Sequence, residues 1–195
     1  DRHREFWEWV WSIRPGEPVP EAFVGIWPRG GAKSSSAEAA TVALGVRGVR
    51  RYALYVRSTQ SLADTSVSNI AALLESRTVE RWYPEHGRRL LSKHGSSKGW
   101  RRSRVRTSGG FTVDALGLDV AARGVKVEDQ RPDLIIFDDI DELHDSPTRT
   151  AKKIATLTKS LLPAGTETTA VVGIQNLIIR HGIFSQIADG RAPFL

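Results

Sequence analysis

Two short segments of this 195-residue chain carry side chains of the kind that handle phosphate. The first is Trp27-Pro28-Arg29-Gly30-Gly31-Ala32-Lys33-Ser34-Ser35, a glycine-rich turn between an apolar run and an Ala-rich helical stretch. Holding a phosphate there takes inward-facing backbone N–H groups, an ammonium, a hydroxyl for Mg²⁺ and a helix amino terminus behind the anion. Gly30, Gly31, Lys33 and Ser34 can supply all four. The common spacing of Gly, four residues, Gly-Lys and then Ser or Thr is not met, because Trp27 and Ala32 stand at the two glycine positions. The competing reading is a glycine-rich turn with a solvated lysine.

The second segment is Asp133-Leu134-Ile135-Ile136-Phe137-Asp138-Asp139-Ile140-Asp141-Glu142, an apolar run of strand length closed by carboxylates. Nucleotide hydrolysis needs one acid near the metal and another beside the attacking water. Asp138 is expected to act on Mg²⁺ together with Ser34. Asp139 is expected to polarise the water, with Glu142 one turn on as the second choice. Asp141 and Asp145 read as solvated loop residues.

The elements that must position these groups alternate along the chain. Apolar runs over residues 22–27, 52–56, 134–137 and 169–174 each predict a central strand. Residues 34–44, 62–75 and 147–162 predict helices, the last led by Pro147. Strand, helix, strand, helix is the order of an α/β protein with a mostly parallel sheet flanked by helices. Residues 104–107 and 111–115, either side of Gly109-Gly110, predict a hairpin or protruding loop. The length suits one domain over 1–195, with a helical segment over 1–20 and a core over 21–180. Phe6, Trp7, Trp9, Val10 and Trp11 crowd that first helix and read as core packing, or less readily as a platform for a base.

Composition excludes several classes. There is no Cys, hence no disulfide scaffold, thiol nucleophile or thiolate zinc site, and no apolar run approaches the ~18 residues of a membrane span. There is no Met, and the chain opens directly on Asp1-Arg2-His3, so it reads as a piece of a longer protein. The formal charge of +6 is uneven: His86 to Arg106 holds eight Lys and Arg and no acid, which leaves a formal −2 elsewhere. Such a segment suits contact with nucleic-acid phosphates, or is a solvated loop; Trp100 and Phe111 lie close enough in sequence to stack or pack.

Pro28 to Ser35 resembles the deviant phosphate loop of bacteriophage terminase large subunits, in which an Arg stands four residues before the Lys, as Arg29 does here. Ala121-Ala122-Arg123-Gly124 ahead of Arg131 to Asp139 resembles the Arg-Gly segment before that family's acidic strand. Thr169 to Asn176 resembles its coupling motif. The resemblance spans about Ala22 to Asn176. It implies a P-loop NTPase of the ASCE type that hydrolyses ATP with Mg²⁺ and drives double-stranded DNA into a procapsid. Pro28, Arg29, Gly30, Gly31, Ala32, Lys33, Ser34 and Ser35 would bind nucleotide, with Ser34 and Asp138 on the metal and Asp139, Glu142, Arg29 and Arg123 catalytic. Arg29 would act on its own subunit's γ-phosphate. Arg123 would be a finger reaching a neighbour's site, with Arg131 its rival. Gly173, Gln175 and Asn176 would couple hydrolysis to movement, helped by Ser58-Thr59-Gln60, and Arg101, Arg102 and Arg104 would grip DNA without reading bases.

The same resemblance implies as partners a portal protein and a small terminase subunit. It also implies a homo-oligomeric ring on the procapsid, a monomer when isolated, residence in the infected host's cytoplasm and absence from the mature virion. A nuclease would belong to a following portion. Other readings are a helicase-like translocase and a DNA-binding module with a degenerate nucleotide site.

Overall fold

A computed structural model describes residues 1–15, 17, 19–120 and 130–192. The chain begins with α1 (Arg2–Ser12), β1 (Phe23–Ile26) and α2 (Lys33–Val46), followed by β2 (Tyr52–Arg57), α3 (Gln60–Leu74) and α4 (Arg77–Trp82). It continues through β3 (Arg104–Arg106), β4 (Thr112–Gly117), β5 (Leu134–Asp138), α5 (Pro147–Thr156), β6 (Ala170–Gln175) and α6 (Ile183–Ala188).

The six strands form one sheet in the order β1-β6-β5-β2-β4-β3. Every neighbouring pair is parallel except β3 with β4. The protein is therefore α/β with a mostly parallel sheet, and the basic segment ends in the antiparallel hairpin expected around Gly109-Gly110. β2 and β5 are apolar at nearly every position because helices cover both faces of the sheet. Alternation along the strands divides the core. Tyr55, Leu134, Ile136 and Val172 face one side with Phe6, Val10 and Leu44. Leu54, Val56, Ile135 and Phe137 face the other with Leu157, Leu161, Ile183 and Phe184. Each fully buried Leu, Ile or Phe contributes about 1.5–3 kcal/mol.

Three expectations change in detail. The run at 22–27 is an edge strand, since β1 pairs only with β6. Residues 111–115, read as the far arm of a hairpin, fall largely within β4, which also pairs in parallel with β2. The helix expected over 147–162 ends its α-helical part at Thr156 and continues as a π turn (Leu157–Leu161) and a 3₁₀ turn (Leu162–Ala164). Pro163 has no N–H and crowds the preceding turn, so regular helix cannot run through it.

The aromatic helix is core packing in the main: Phe6 and Val10 are buried, and the Phe6 ring stands edge-on to Phe23 at 5.2 Å and to Trp27 at 5.8 Å. Trp11 is the exception, stacked on Trp7 at 5.5 Å and half exposed under the Arg47 guanidinium. Among the described residues no helix is long and apolar enough to cross a membrane.

Candidate functional site

Because β1, β6, β5 and β2 are parallel, their carboxyl ends meet at one edge of the sheet, the edge where open α/β folds place ligands. The register aligns Ile26 with Gln175, Asp138 with Ile174 and Val56 with Phe137. A cavity of about 560 Å³ opens there, within the range of ligand clefts. Its wall includes Arg29, Gly30 and Lys33 from the turn after β1, Arg57 and Ser58 from the end of β2, Asp139 and Glu142 after β5, and Gln175 and Asn176 after β6.

The turn holds two residues in the left-handed region. Gly30 has φ +79, and Ala32, at the second glycine position of the pattern, has φ +51 and caps α2 without a side-chain hydrogen bond. An alanine held left-handed costs about 1–2 kcal/mol. Trp27, at the first glycine position, needs no such conformation and is buried against Phe6 and His3. Lys33 is buried, its Nζ donating to the Pro28 carbonyl at 3.4 Å, and among the described residues it has no ion-pair partner. Arg29 and Ser35 are exposed. The α2 amino terminus, no side chain capping it, points its first N–H groups toward the turn.

The hydroxyl of Ser34 donates to Asp138 Oδ1 at 3.0 Å, joining the turn to the acidic strand. Tyr55 donates its phenol proton to Asp138 Oδ2, also at 3.0 Å. Arg57 Nη1 lies 3.4 Å from that same oxygen, and Nη2 lies 3.5 Å from Asp139 Oδ2. Burial pushes the Asp138 carboxyl up to about 6, against the opposing pull of Arg57. Asp139 has φ +48, and its Oδ1 is buried with no partner. An orphaned acceptor on a strained residue beside a cavity marks a place for a hydrogen-bond donor from a ligand, or for a cation. Arg57 escaped the sequence reading; its only trace there is a lone arginine closing a strand that is otherwise wholly apolar or aromatic.

Other candidates fall into place around this centre. Glu142 is held by Arg149 at 2.7 Å and Lys153 at 3.2 Å, so its carboxylate already has cationic partners. Asp141 and Asp145 are buried, contrary to the expectation of solvated loop residues. Asp141 accepts from the backbone N–H groups of Ile183 at 2.8 Å and Phe184 at 3.0 Å, so it caps α6 from a distant loop. Asp145 is ion-paired with Lys153 at 2.5 Å. Gln175 is buried, accepting from Asp141 N at 3.1 Å and donating to Asp141 O at 3.4 Å, while Gly173 lies within β6 opposite Phe137. Thr59 caps α3 through Leu62 N, and Gln60 is tied to Asp64 and to the β4 backbone, which makes 58–60 a polar helix start.

Arg131 lies ahead of β5, at the far edge of the sheet from the cavity, donating to the Gly165 carbonyl at 3.2 Å. Arg123 and the segment 121–124 lie outside the described residues. Arg101 and Arg102 are exposed, the latter 3.5 Å from Asp64, whereas Arg104 turns inward onto Asp114, which also accepts from the Tyr52 hydroxyl at 2.6 Å.

The cavity thus gathers a buried ammonium, an exposed guanidinium and the Asp139 and Glu142 carboxylates, with the uncapped α2 amino terminus and the buried Ser34–Asp138 pair adjoining them in the chain. That set can hold a polyanion together with a hard cation. No protein-family model matches the chain, and no curated protein matches it.

Proposed function

We propose that the chain is a P-loop ATPase domain of the ASCE type serving a DNA-packaging motor of the terminase large-subunit kind. The observation that carries this reading is the Ser34–Asp138 hydrogen bond at 3.0 Å, which joins the residue after Lys33 to the residue before Asp139, both of which line the cavity. Hydroxyl and carboxylate are the protein groups such enzymes offer to Mg²⁺. The donor set fits that ion. Mg²⁺ takes oxygen ligands at about 2.0–2.1 Å in octahedral array, so adjacent ligands lie about 2.9–3.0 Å apart, the separation seen here. Mg²⁺ usually keeps several waters and takes further ligands from phosphates, so one hydroxyl and one carboxylate from the protein suffice. When bound, Mg²⁺ would neutralise charge developing on the β- and γ-phosphate oxygens.

The chain's own groups divide the remaining work. Gly30, Gly31 and the start of α2 cradle the phosphates, while Lys33 exchanges the Pro28 carbonyl for a phosphate oxygen. Arg29 reaches from the exposed turn to the γ-phosphate. Asp139 orients the attacking water and accepts its proton; Glu142, held by two cations, is less free to do so. Arg57 bridges the two strand-end carboxylates and offsets their charge. Leu62, Leu143 and Ile178 give the cavity an apolar side. The placement of β6 between the loop strand and the acidic strand supports the ASCE type, because it brings Gln175 to the cavity wall and into contact with the Asp141 loop.

Double-stranded DNA as track, the portal protein and small subunit as partners, and the ring on the procapsid in the host cytoplasm rest on the motif resemblance together with the basic segment. Arg123 as the finger belongs to the same proposal. Phosphate release from ATP, measured with duplex DNA present, tests the reading. Lys33→Ala and Asp139→Asn are expected to lose at least about 100-fold, the scale for removing a group that stabilises the transition state. A mixture of Lys33→Ala and Arg123→Ala proteins should recover part of the turnover if the finger acts across a subunit boundary. Duplex binding without any binding of ATP·Mg²⁺ would replace the ATPase by a DNA-binding module.

A further inference from the structure

A second cavity, of about 330 Å³, opens at the opposite edge of the sheet, where β2 and β4 begin. Five strand steps of about 3.3 Å separate the two ends of β2, so the two cavities are roughly 16 Å apart along that strand. Arg50, Arg51 and His86 line it, with Gly48 and the Gly109-Gly110 turn.

Arg50 is the unusual member. It is 7% exposed, its Nη1 donates to the Val49 carbonyl at 2.8 Å, and its Nε is buried with no partner. Among the described residues no carboxylate lies within ion-pair distance of it. Asp133, the acid that acts on it electrostatically, already accepts from Arg51 N at 2.8 Å and Tyr52 N at 2.9 Å. Burial pulls the guanidinium below its ordinary value, the mark of a charge lacking compensation. A buried cation without a counter-ion is unfavourable unless something else supplies the negative charge.

The surroundings favour a small oxyanion. Glu85 is the other acid nearby, 3.8 Å from His86 Nε2 and exposed. Backbone N–H groups of Gly48, Gly109 and Gly110 are already bonded to Gly45, Glu85 and Thr107 carbonyls, so side chains must do the binding. A guanidinium fork matches phosphate geometry, and the cavity adjoins the basic segment that starts at His86. We infer that this cavity is a phosphate-binding site, independent of the ATPase reading, in which Arg50 supplies the buried fork and Arg51 and His86 flank the anion. The phosphate belongs either to a small solute or to a nucleic-acid backbone.

One glycine makes the test clean. Gly110 has φ +88, and a Cβ there would meet nothing within 4 Å. Asn and Asp both tolerate that conformation, so Gly110→Asp and Gly110→Asn differ by a charge and little else. Inorganic phosphate is titrated calorimetrically into Lys33→Ala protein, which lacks the ammonium of the first cavity. Phosphate should still bind, with affinity at least tenfold weaker when Gly110→Asp or Arg50→Gln is added and within twofold for Gly110→Asn. Equal affinity for the Asp and Asn variants, or no binding by Lys33→Ala, overturns the site. Repeating the titration with a saturating short DNA duplex assigns the source. Displacement of phosphate by the duplex identifies a backbone phosphate, and undisturbed binding identifies a free solute; either outcome supports the site.

Discussion

The Arg57 guanidinium stands 3.4 Å from Asp138 Oδ2 at the end of the neighbouring parallel strand, and its other terminal nitrogen reaches Asp139 Oδ2. One cation therefore spans two successive carboxylates, the first of them with no exposed surface. Ser66, on α3, anchors the fork by accepting from Nη1 at 3.2 Å.

Arg57→Ala should destabilise the protein by about 3 kcal/mol, because it leaves Asp138 buried without its counter-charge. Adding Asp138→Asn removes that charge and should restore much of the loss. Urea denaturation of the two single variants and the double variant measures the coupling; strictly additive effects would show that the pair does not interact.

The buried acid also gives a pH signature in metal-free protein. Unfolded chains release the Asp138 proton near the ordinary value of 3.8, whereas the folded state keeps it up to about 6. Between those values the folded state binds more protons, so this group's contribution makes stability fall as pH rises, and the fall ends above about 6. An asparagine side chain at this position cannot titrate. The stability of Asp138→Asn relative to the natural protein should therefore grow by about 2 kcal/mol between about pH 4.5 and 7.5. A difference that stays flat over this range would contradict the raised value.

The three arginines chosen for DNA should separate. Arg101→Ala and Arg102→Ala are expected to weaken duplex binding alike for all sequences and to lower the salt slope by about one each. Arg104→Ala should instead lower thermal stability, since its guanidinium is engaged with Asp114 under the sheet edge. A normal melting temperature combined with a reduced salt slope for Arg104→Ala would reverse that assignment.

Asp141 and Gln175 link the acidic loop to β6 and to α6. Asp141→Ala should cost about 1–2 kcal/mol, the scale of a lost helix cap. Hydrogen exchange should speed up at Ile183 and Phe184, whose N–H groups it accepts from. Gln175→Leu leaves Asp141 N buried and unpaired and should slow hydrolysis more than it weakens ATP binding. Unchanged exchange at α6 in Asp141→Ala would show that the cap is dispensable.

Much of this was legible in the chain because it is local. The turn from Pro28 to Ser35, the acid pair closing β5 and the Gly109-Gly110 hairpin each declare themselves within ten residues. What could not be read depends on register. Arg57 meets Asp138 only because β2 and β5 pair in parallel with Val56 opposite Phe137. Asp141 looks like one more loop acid until α6 is brought over it, and Arg104 looks like one more exposed cation until Asp114 is placed opposite it across the hairpin. The edge position of β1 was hidden as well, since a short apolar run reads the same in the centre of a sheet as at its margin. Ala32 is instructive in the other direction: the glycine pattern fails there, yet the alanine adopts a left-handed conformation that glycine would take without strain.

The central claim is that Lys33, Ser34 and Asp138 form one site for a metal-bound triphosphate, and ATP affinity measured by calorimetry with Mg²⁺ and with EDTA tests it most directly. The natural protein should bind ATP at least tenfold more tightly with Mg²⁺, Ser34→Ala and Asp138→Asn should abolish that gain, and Lys33→Ala should weaken binding under both conditions. Affinity that is indifferent to Mg²⁺, or a gain that survives both substitutions, would contradict it.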